Sequence, residues 1–405
     1  MGVRLEGETV AKRRPYGSGS VTQRPDGKWV ARVEAGWTDR GTRRRISRVR
    51  ATEAEAKRAL RDLQRELAEG TAVGGRKVTV KAWADEWLET QARRVRPKTH
   101  QTDTSTVRRW IIPTIGHRRL ADLTPADVRK LTDTVRDAGR ASTTARYAQS
   151  VLERMLRAAI REGHDVPERV LLTHKPAAAV SDREALTVPE AVKVLGTASK
   201  RPDGARWVAA LLQGMRQGEC LGLTWDHVDF NAHTIDVSWQ LQTLRYEDRD
   251  RDTFLIPDGY EARRLEGAWH LTRPKTARGQ RIIPMLDWMV EPLRAWREVA
   301  PVSPHGLVWP RPDGKPRNSK ADRGEWWALC DEAEVRHPNG RRYHLHEARN
   351  TTASLLLAAK VDPTIITAIL GHSSIVVSRG YMSIDQEQLR EALSAASALL
   401  LPAGS

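Results

Sequence analysis

Three consecutive stretches decide how this chain is read: His346-Glu-Ala-Arg349, then Asp362-Pro-Thr-Ile-Ile-Thr-Ala-Ile-Leu-Gly-His372, then Ser373-Ser-Ile-Val-Val-Ser-Arg-Gly-Tyr381. His346 and Arg349 stand three residues apart, a spacing that puts both side chains on one face of a helix. Asp362 and Pro363 open a second helix whose apolar face is Ile365, Ile366, Ile369 and Leu370, and Gly371 ends it as a left-handed cap. His372 thus falls just past a helix end, where capping is its plain role. Tyr381 follows nine residues later. Alone it reads as a packing tyrosine, and the His346/Arg349 pair alone is a common one.

Upstream lie two more contexts. Gly214-Met-Arg216-Gln-Gly-Glu219 turns the backbone closely at its glycines and sets Arg216 at a helix start, with Glu219 one turn on to brace it. Pro274-Lys275-Thr276 precedes Arg281-Ile-Ile-Pro284. His270-Leu-Thr272 and 281–284 read as short strands, so Lys275 is expected in a hairpin between them. A surface arginine and a loop lysine pointed at solvent are the bland alternatives.

Taken in order, Arg216, Lys275, His346, Arg349, His372 and Tyr381 resemble the signature of the tyrosine recombinases, the phage integrase family. Ala348 and Asn350 depart from it, standing where the family usually has leucine and often histidine, and neither position carries chemistry. The resemblance implies opening of a phosphodiester, which needs a nucleophile, charge neutralisation on the non-bridging oxygens and a proton for the leaving oxygen. Tyr381 would be the nucleophile. Free tyrosine ionises near pH 10, so cationic neighbours or a base must activate it. Arg216 and Arg349 would clamp the phosphate with planar guanidinium forks. Lys275 would protonate the leaving 5′ oxygen, while His346 and His372 hydrogen-bond the phosphate or move protons.

The family's route runs through a 3′-phosphotyrosyl link, strand exchange at a Holliday junction and religation, with no ATP, metal or other cofactor. Double-stranded DNA attachment sites are the expected partner, together with a homo-tetramer on DNA, an excisionase and a host DNA-bending protein. Two alternatives stay open. One is a type IB topoisomerase, which uses the same constellation, and the other is a DNA-binding regulator that keeps the fold without the catalysis. His344, His346 and Glu347 also raise a zinc reading, but His-Glu-x-x-His fails because Asn350 occupies its last position.

The bulk properties agree with a polyanionic partner. The 405 residues carry a formal +16, and residues 1–50 hold 13 Lys/Arg against five acids, a net +8. Cys220 and Cys330 cannot build a disulfide framework, which favours a reducing interior. No apolar run approaches the roughly 20 residues a membrane span needs. A cytoplasmic, nucleoid-associated protein is expected.

The chain divides by composition into three domains. Residues 1–75 are expected to form an arm-type DNA-binding domain, a short antiparallel sheet plus a helix opened by Thr52 and Glu55, with strand-borne arginines Arg32, Arg43, Arg44, Arg45, Arg48 and Arg50 on the sheet face. Residues 78–165 read as a helical core-binding domain, with an apolar stripe of Ala148, Val151, Leu152, Met155, Leu156 and Ala159. Residues 185–405 read as an α+β catalytic domain of the DNA breaking-rejoining type, ending in a tail helix that in the family docks on a neighbouring protomer, with packing on its own chain as the alternative. The fold class expected is therefore multidomain and mainly α. A polar insertion at 245–268 is read as a loop or a family-specific contact.

Overall fold

The computed structural model describes residues 19–37, 43–68, 78–178, 183–274, 279–371 and 385–400. Contacts group the chain into two compact units, Met1–Gln91 with Thr99–Ala179, and Ala92–Lys98 with Val180–Ser405.

The first unit opens on β1 (Ser20–Gln23), β2 (Trp29–Trp37) and β3 (Arg43–Arg50), an antiparallel sheet in the order β1-β2-β3. Helix α1 (Glu53–Ala68) follows. Its start is capped reciprocally, Glu55 N donating to Thr52 Oγ1 and Thr52 N to the Glu55 carboxylate, each at 3.3 Å. Ala59 and Leu63 of α1 bury Ala31 and Val33. Side chains alternate along a strand, so register decides which arginine goes where. Ala31 pairs with Arg48 and Trp29 with Arg50 on the α1 side, whereas Arg32 pairs with Ser47 and Glu34 with Arg45 on the opposite side. The expected single arginine face is thus divided. Arg32 and Arg45 share the face away from α1, Arg48 and Arg50 the other, and the side chains of Arg43 and Arg44 lie outside the described residues.

The helical part comprises α2 (Val80–Ala92), α3 (Pro97–Thr106), α4 (Ile112–Ile115), α5 (Pro125–Asp137), α6 (Ser142–Arg161) and the short α7 (Glu168–Leu171). The apolar stripe on α6 is buried throughout, against Trp83, Trp87 and Leu88 of α2. Trp83 Nε1 donates to Met155 O at 2.8 Å, which satisfies the one polar atom that the indole brings into the core. Between α3 and α4, Val107–Ile111 widens into a π turn. Pro113 explains it: with no N–H the ring cannot close the α-helical bond to Arg109 O, and the ladder slips by one residue. The helix therefore runs on past Ile111 into α4.

The second unit begins with α8 (Val188–Ala198), capped reciprocally by Thr187 and Glu190, followed by α9 (Ala205–Leu211) and α10 (Gln217–Leu221). Strands β4 (Val228–Asp229), β5 (Thr234–Val237), β6 (Gln240–Thr243), β7 (Tyr246–Asp248), β8 (Thr253–Phe254), β9 (Ala262–Arg264), β10 (Trp269–Thr272) and β11 (Arg281–Pro284) come next. They form three sheets, ordered β11-β5-β4, β6-β10-β9 and β7-β8. β10 pairs with β6 and β11 with β5, Thr272 standing opposite Gln240 and Arg281 opposite Val237, so β10 and β11 are not the two strands of the simple hairpin expected. Lys275 itself lies outside the described residues.

The polar insertion also folds. β7 and β8 make a two-stranded ribbon, and β9 adds to the free edge of β10. Tyr246, Phe254 and His270 stack at 4.5 and 4.4 Å between ring centres.

Helices α11 (Asp287–Val299), α12 (Ser319–Glu332), α13 (Leu345–Ala358), α14 (Pro363–Leu370) and α15 (Gln386–Ala398) enclose one large core that includes Trp207, Trp309 and Trp326. The tail helix α15 buries Leu389, Ala392, Leu393 and Ala396 in this same core, so it packs on its own unit. Among the described residues no helix is long and apolar enough to cross a membrane.

Candidate active site

Arg216, Arg349 and Glu219 meet where α10, α13 and the end of α14 converge. Gly214 makes the approach possible. Its φ is +60°, and a Cβ there would lie 2.4 Å from Leu370 Cδ2, so both backbone and space require glycine. Two residues on, Arg216 is the extended residue before α10. Its main-chain N donates to Glu219 Oε2 at 2.9 Å, its Nη1 to Oε1 at 2.6 Å, and its Nη2 to Gly371 O at 3.1 Å. Arg349, on α13, donates through Nη1 to Gly214 O and through Nη2 to Leu370 O.

A third guanidinium completes the cluster. Arg281 at the start of β11 donates to both oxygens of Glu219 at 3.2 and 2.9 Å, and through Nε to Ile369 O at 2.7 Å. Three arginines thus take three successive carbonyls: Arg281 takes Ile369, Arg349 takes Leu370 and Arg216 takes Gly371. These are the acceptors that a helix C-terminus leaves unpaired, and they carry partial negative charge. Gly371, at φ +63° and ψ +46°, turns its own carbonyl into reach as the sequence predicts.

The charge does not balance. Among the described residues three guanidiniums surround one carboxylate, a net +2, with Glu219, Arg349 and the Arg281 side chain exposed by 1, 2 and 6%. Arg216 is 35% exposed and is the member open to solvent. Burial raises the Glu219 carboxyl, but Arg281 and then Arg216 outweigh it and hold the group below the ordinary carboxylate range. For Arg349, burial and the like charges of Arg216 and Arg281 push the guanidinium down to about 9. Its Nε is buried with no hydrogen-bond partner among the described residues.

His346, one turn before Arg349, reaches the surface. Partial desolvation, then the positive charges of Arg349, Arg183 and Arg216, lower its imidazole below the usual 6.5, so it is neutral at neutral pH. Glu347 next to it is wholly buried and sets the start of α13. It accepts from Arg341 at 2.6 and 2.9 Å, from His344 N at 2.5 Å and from Glu184 N at 3.0 Å.

The structure therefore brings together Arg216, Arg349 and His346 of the six residues singled out by sequence. Lys275, His372 and Tyr381 lie outside the described residues. Sequence reading missed Arg281 as a member of this cluster. A signal was present: Arg281 shares a strand face with buried Ile283, and an arginine on a buried face needs a carboxylate partner.

Comparison with known proteins fixes the family. The phage integrase family model matches residues 185–388, and the phage integrase central domain model matches residues 80–170. The chain belongs to the phage integrase family. This integrase is a site-specific tyrosine recombinase, a DNA strand transferase. An integrase from Saccharopolyspora erythraea is 25% identical over 93% of this chain and 95% of its own length, and one from Streptomyces ambofaciens is 26% identical over 96% and 97%. Among solved structures, the Tn1549 transposon integrase in complex with transposon right end DNA has the same fold at a TM-score of 0.61 and 18% identity, over 78% of this integrase and 98% of that chain. A lambda integrase dimer bound to a COC′ core site matches at 0.54 and 18% identity, over 93% and 99%.

Proposed function

We propose that Arg216, Lys275, His346, Arg349, His372 and Tyr381 form the recombinase centre, and that it cuts and rejoins duplex DNA at attachment sites through Tyr381. The observation that carries this reading is the uncompensated +2 at Arg216, Arg281, Arg349 and Glu219. A phosphodiester brings one negative charge, and its pentacovalent transition state brings two. Preorganised guanidiniums act best where the charge develops.

In the proposed step the Tyr381 oxygen forms a bond to phosphorus while the bond to the 5′ oxygen breaks. The phenolic proton leaves toward a neutral imidazole, for which the depressed His346 is suited, and Lys275 supplies a proton to the departing oxygen. The 3′-phosphotyrosyl bond conserves the energy for religation after strand exchange. Residues 1–75 would bind arm-type sites, 78–165 the core sites, and 185–405 would carry the chemistry and the tail helix. Four copies would act together on a phage or other mobile element in the cytoplasm, with an excisionase and a host bending protein as partners.

A nicked suicide duplex carrying the attachment core tests the assignment. Wild type should accumulate a covalent adduct, and Tyr381→Phe should give none while binding DNA with little change, because only the attacking oxygen is removed. An adduct formed by Tyr381→Phe would mean another residue is the nucleophile. The same adduct should form in excess EDTA without ATP, since arginines and Lys275 are assigned the positive charge.

A further inference from the structure

We propose that Arg281 is a positioning residue of the recombinase centre, setting the place of Arg216 and of the turn that ends α14 without itself touching DNA. The inference rests on the reading of Arg216 as part of the phosphate clamp. Every nitrogen of Arg281 already donates within the protein, whereas Arg349 keeps its Nε without a partner among the described residues, so contact with the duplex is assigned to the clamp and not to Arg281. Its donors go instead to three separate segments. Nη1 and Nη2 hold both oxygens of Glu219, Nε holds Ile369 O, and Nη1 also reaches Gly279 O at 3.1 Å.

Glu219 is the hinge of this arrangement. One face of its carboxylate is occupied by Arg281, and the same two oxygens receive the main-chain N and Nη1 of Arg216. A lone Glu219 facing Arg216 would form a neutral pair and lower the charge available to phosphate. The second guanidinium keeps the cluster positive while holding the carboxylate in one orientation. At the other end, Ile369 O is followed directly by the carbonyls that Arg349 and Arg216 take. Arg281 thus fixes both the carboxylate behind Arg216 and the helix end that Arg216 leans on. Only a planar fork with five N–H donors can serve acceptors on three segments, and a lysine ammonium at one point cannot.

The test measures single-turnover cleavage by the full chain on two nicked duplexes, one with the ordinary scissile phosphodiester and one with a neutral methylphosphonate there. Arg216→Lys is run in parallel. Arg281→Gln should slow phosphodiester cleavage by about 10–10² with DNA affinity unchanged, less than the 10²–10³ expected for a donor that meets the substrate. The methylphosphonate requires less positive charge, so the loss should shrink on it. That ratio is taken within one preparation and is independent of the fraction folded. Arg281→Lys, which can meet Glu219 alone, should recover part of the rate. Because Arg281 is assigned to act through Glu219, the double variant with Glu219→Gln should lose little more than the worse single variant.

Equal losses on both linkages would reduce Arg281 to a structural role and overturn the proposal, as would wild-type cleavage by Arg281→Gln. Multiplying losses in the double variant would overturn the route through Glu219. If Arg216→Lys itself cleaves normally, the clamp reading falls. If Arg216→Lys is crippled and the Arg281 variants are not, only the Arg281 assignment falls.

Discussion

The second unit buries two ionic clusters of similar size, and they differ in one respect. Around Arg349 three guanidiniums meet a single carboxylate. Around Arg206, by contrast, two guanidiniums meet three carboxylates. Arg206 reaches Asp203 at 3.1 Å, Asp322 at 3.0 Å and Glu325 at 2.5 Å, while Arg317 reaches Glu325 at 2.5 Å and Pro310 O at 2.9 Å. Arg206 and Arg349 are equally covered. Burial alone therefore does not mark a functional arginine. A surplus carried by covered groups such as Arg349 and Arg281 does, because it persists only if a ligand of opposite sign repays the desolvation. The formal −1 of the Arg206 cluster falls instead on Asp203 and Glu325, 23 and 38% exposed, and is compensated by water. The two clusters are neighbours in space: Gln217, next to Arg216, donates to Asp322 Oδ2 and Ser319 O, both at 2.8 Å.

The largest effect expected is on the compensated cluster. Arg206→Met leaves the buried Asp322, and the partly exposed Asp203, without their main partner and should cost about 3–5 kcal/mol of stability. Cleavage per folded molecule should stay close to wild type. Denaturant unfolding and single-turnover cleavage measured together check this, and a stable but inactive Arg206→Met would move catalysis into the wrong cluster.

Arg349→Lys and Arg216→Lys should do the reverse. An ammonium keeps the charge but loses the fork, and loss of one preorganised donor of this kind lowers the rate by about 10²–10³. Near-normal cleavage by either variant on the suicide substrate would remove that residue from the clamp.

The pH profile separates the clusters again. With Arg349 pushed down to about 9, the positive clamp is complete below that pH and is lost as pH rises through it. Cleavage should therefore decline above pH 9, approaching tenfold per unit if the charge is essential. On the acid side, protonation of His346 removes a proton acceptor, so the rate should drop only at pH values below the ordinary histidine range. A rate still climbing past pH 10 would make the Arg349 charge dispensable.

Much of this centre is legible in sequence because its pieces are local. The spacing of His346 and Arg349, the Gly371 cap and the turn before Arg216 each depend on a few adjacent residues, and the structure places them as expected. What sequence conceals depends on pairing between distant segments. The strand face that Arg281 shares with Ile283 is legible, but its partner is not: Arg281 joins the site only because β11 pairs with β5 and brings that face onto Glu219. The same pairing puts β10 and β11 in separate sheets, so they do not make one hairpin. Strands in the insertion are short and polar, so alternation gives no signal there. The arginines of β3 split between two faces because a one-residue offset reverses a side chain's direction.

The smallest effects concern the carboxylates, and here the two clusters should respond to acid in opposite senses. The positive surplus holds Glu219 ionised, its folded value lying below the usual 4.5. Its stabilising contribution is present above the unfolded value and is lost as pH falls through the folded one. Asp322 has the opposite environment: burial raises its carboxyl above the usual 3.8, Arg206 only partly offsets this, and Glu325 adds a like charge. Its contribution is fully present below the unfolded value and is lost as pH rises through the folded one. Replacing either carboxylate by its amide removes the titration and nearly preserves the shape. The unfolding free energy of wild type relative to Glu219→Gln should thus shrink as the solution is acidified below the ordinary carboxylate range. Relative to Asp322→Asn it should grow over the same descent, by no more than about 1–2 kcal/mol. Parallel slopes for the two amide variants would mean that the clusters share one electrostatic environment, and the contrast drawn between a surplus centre and a compensated one would fail.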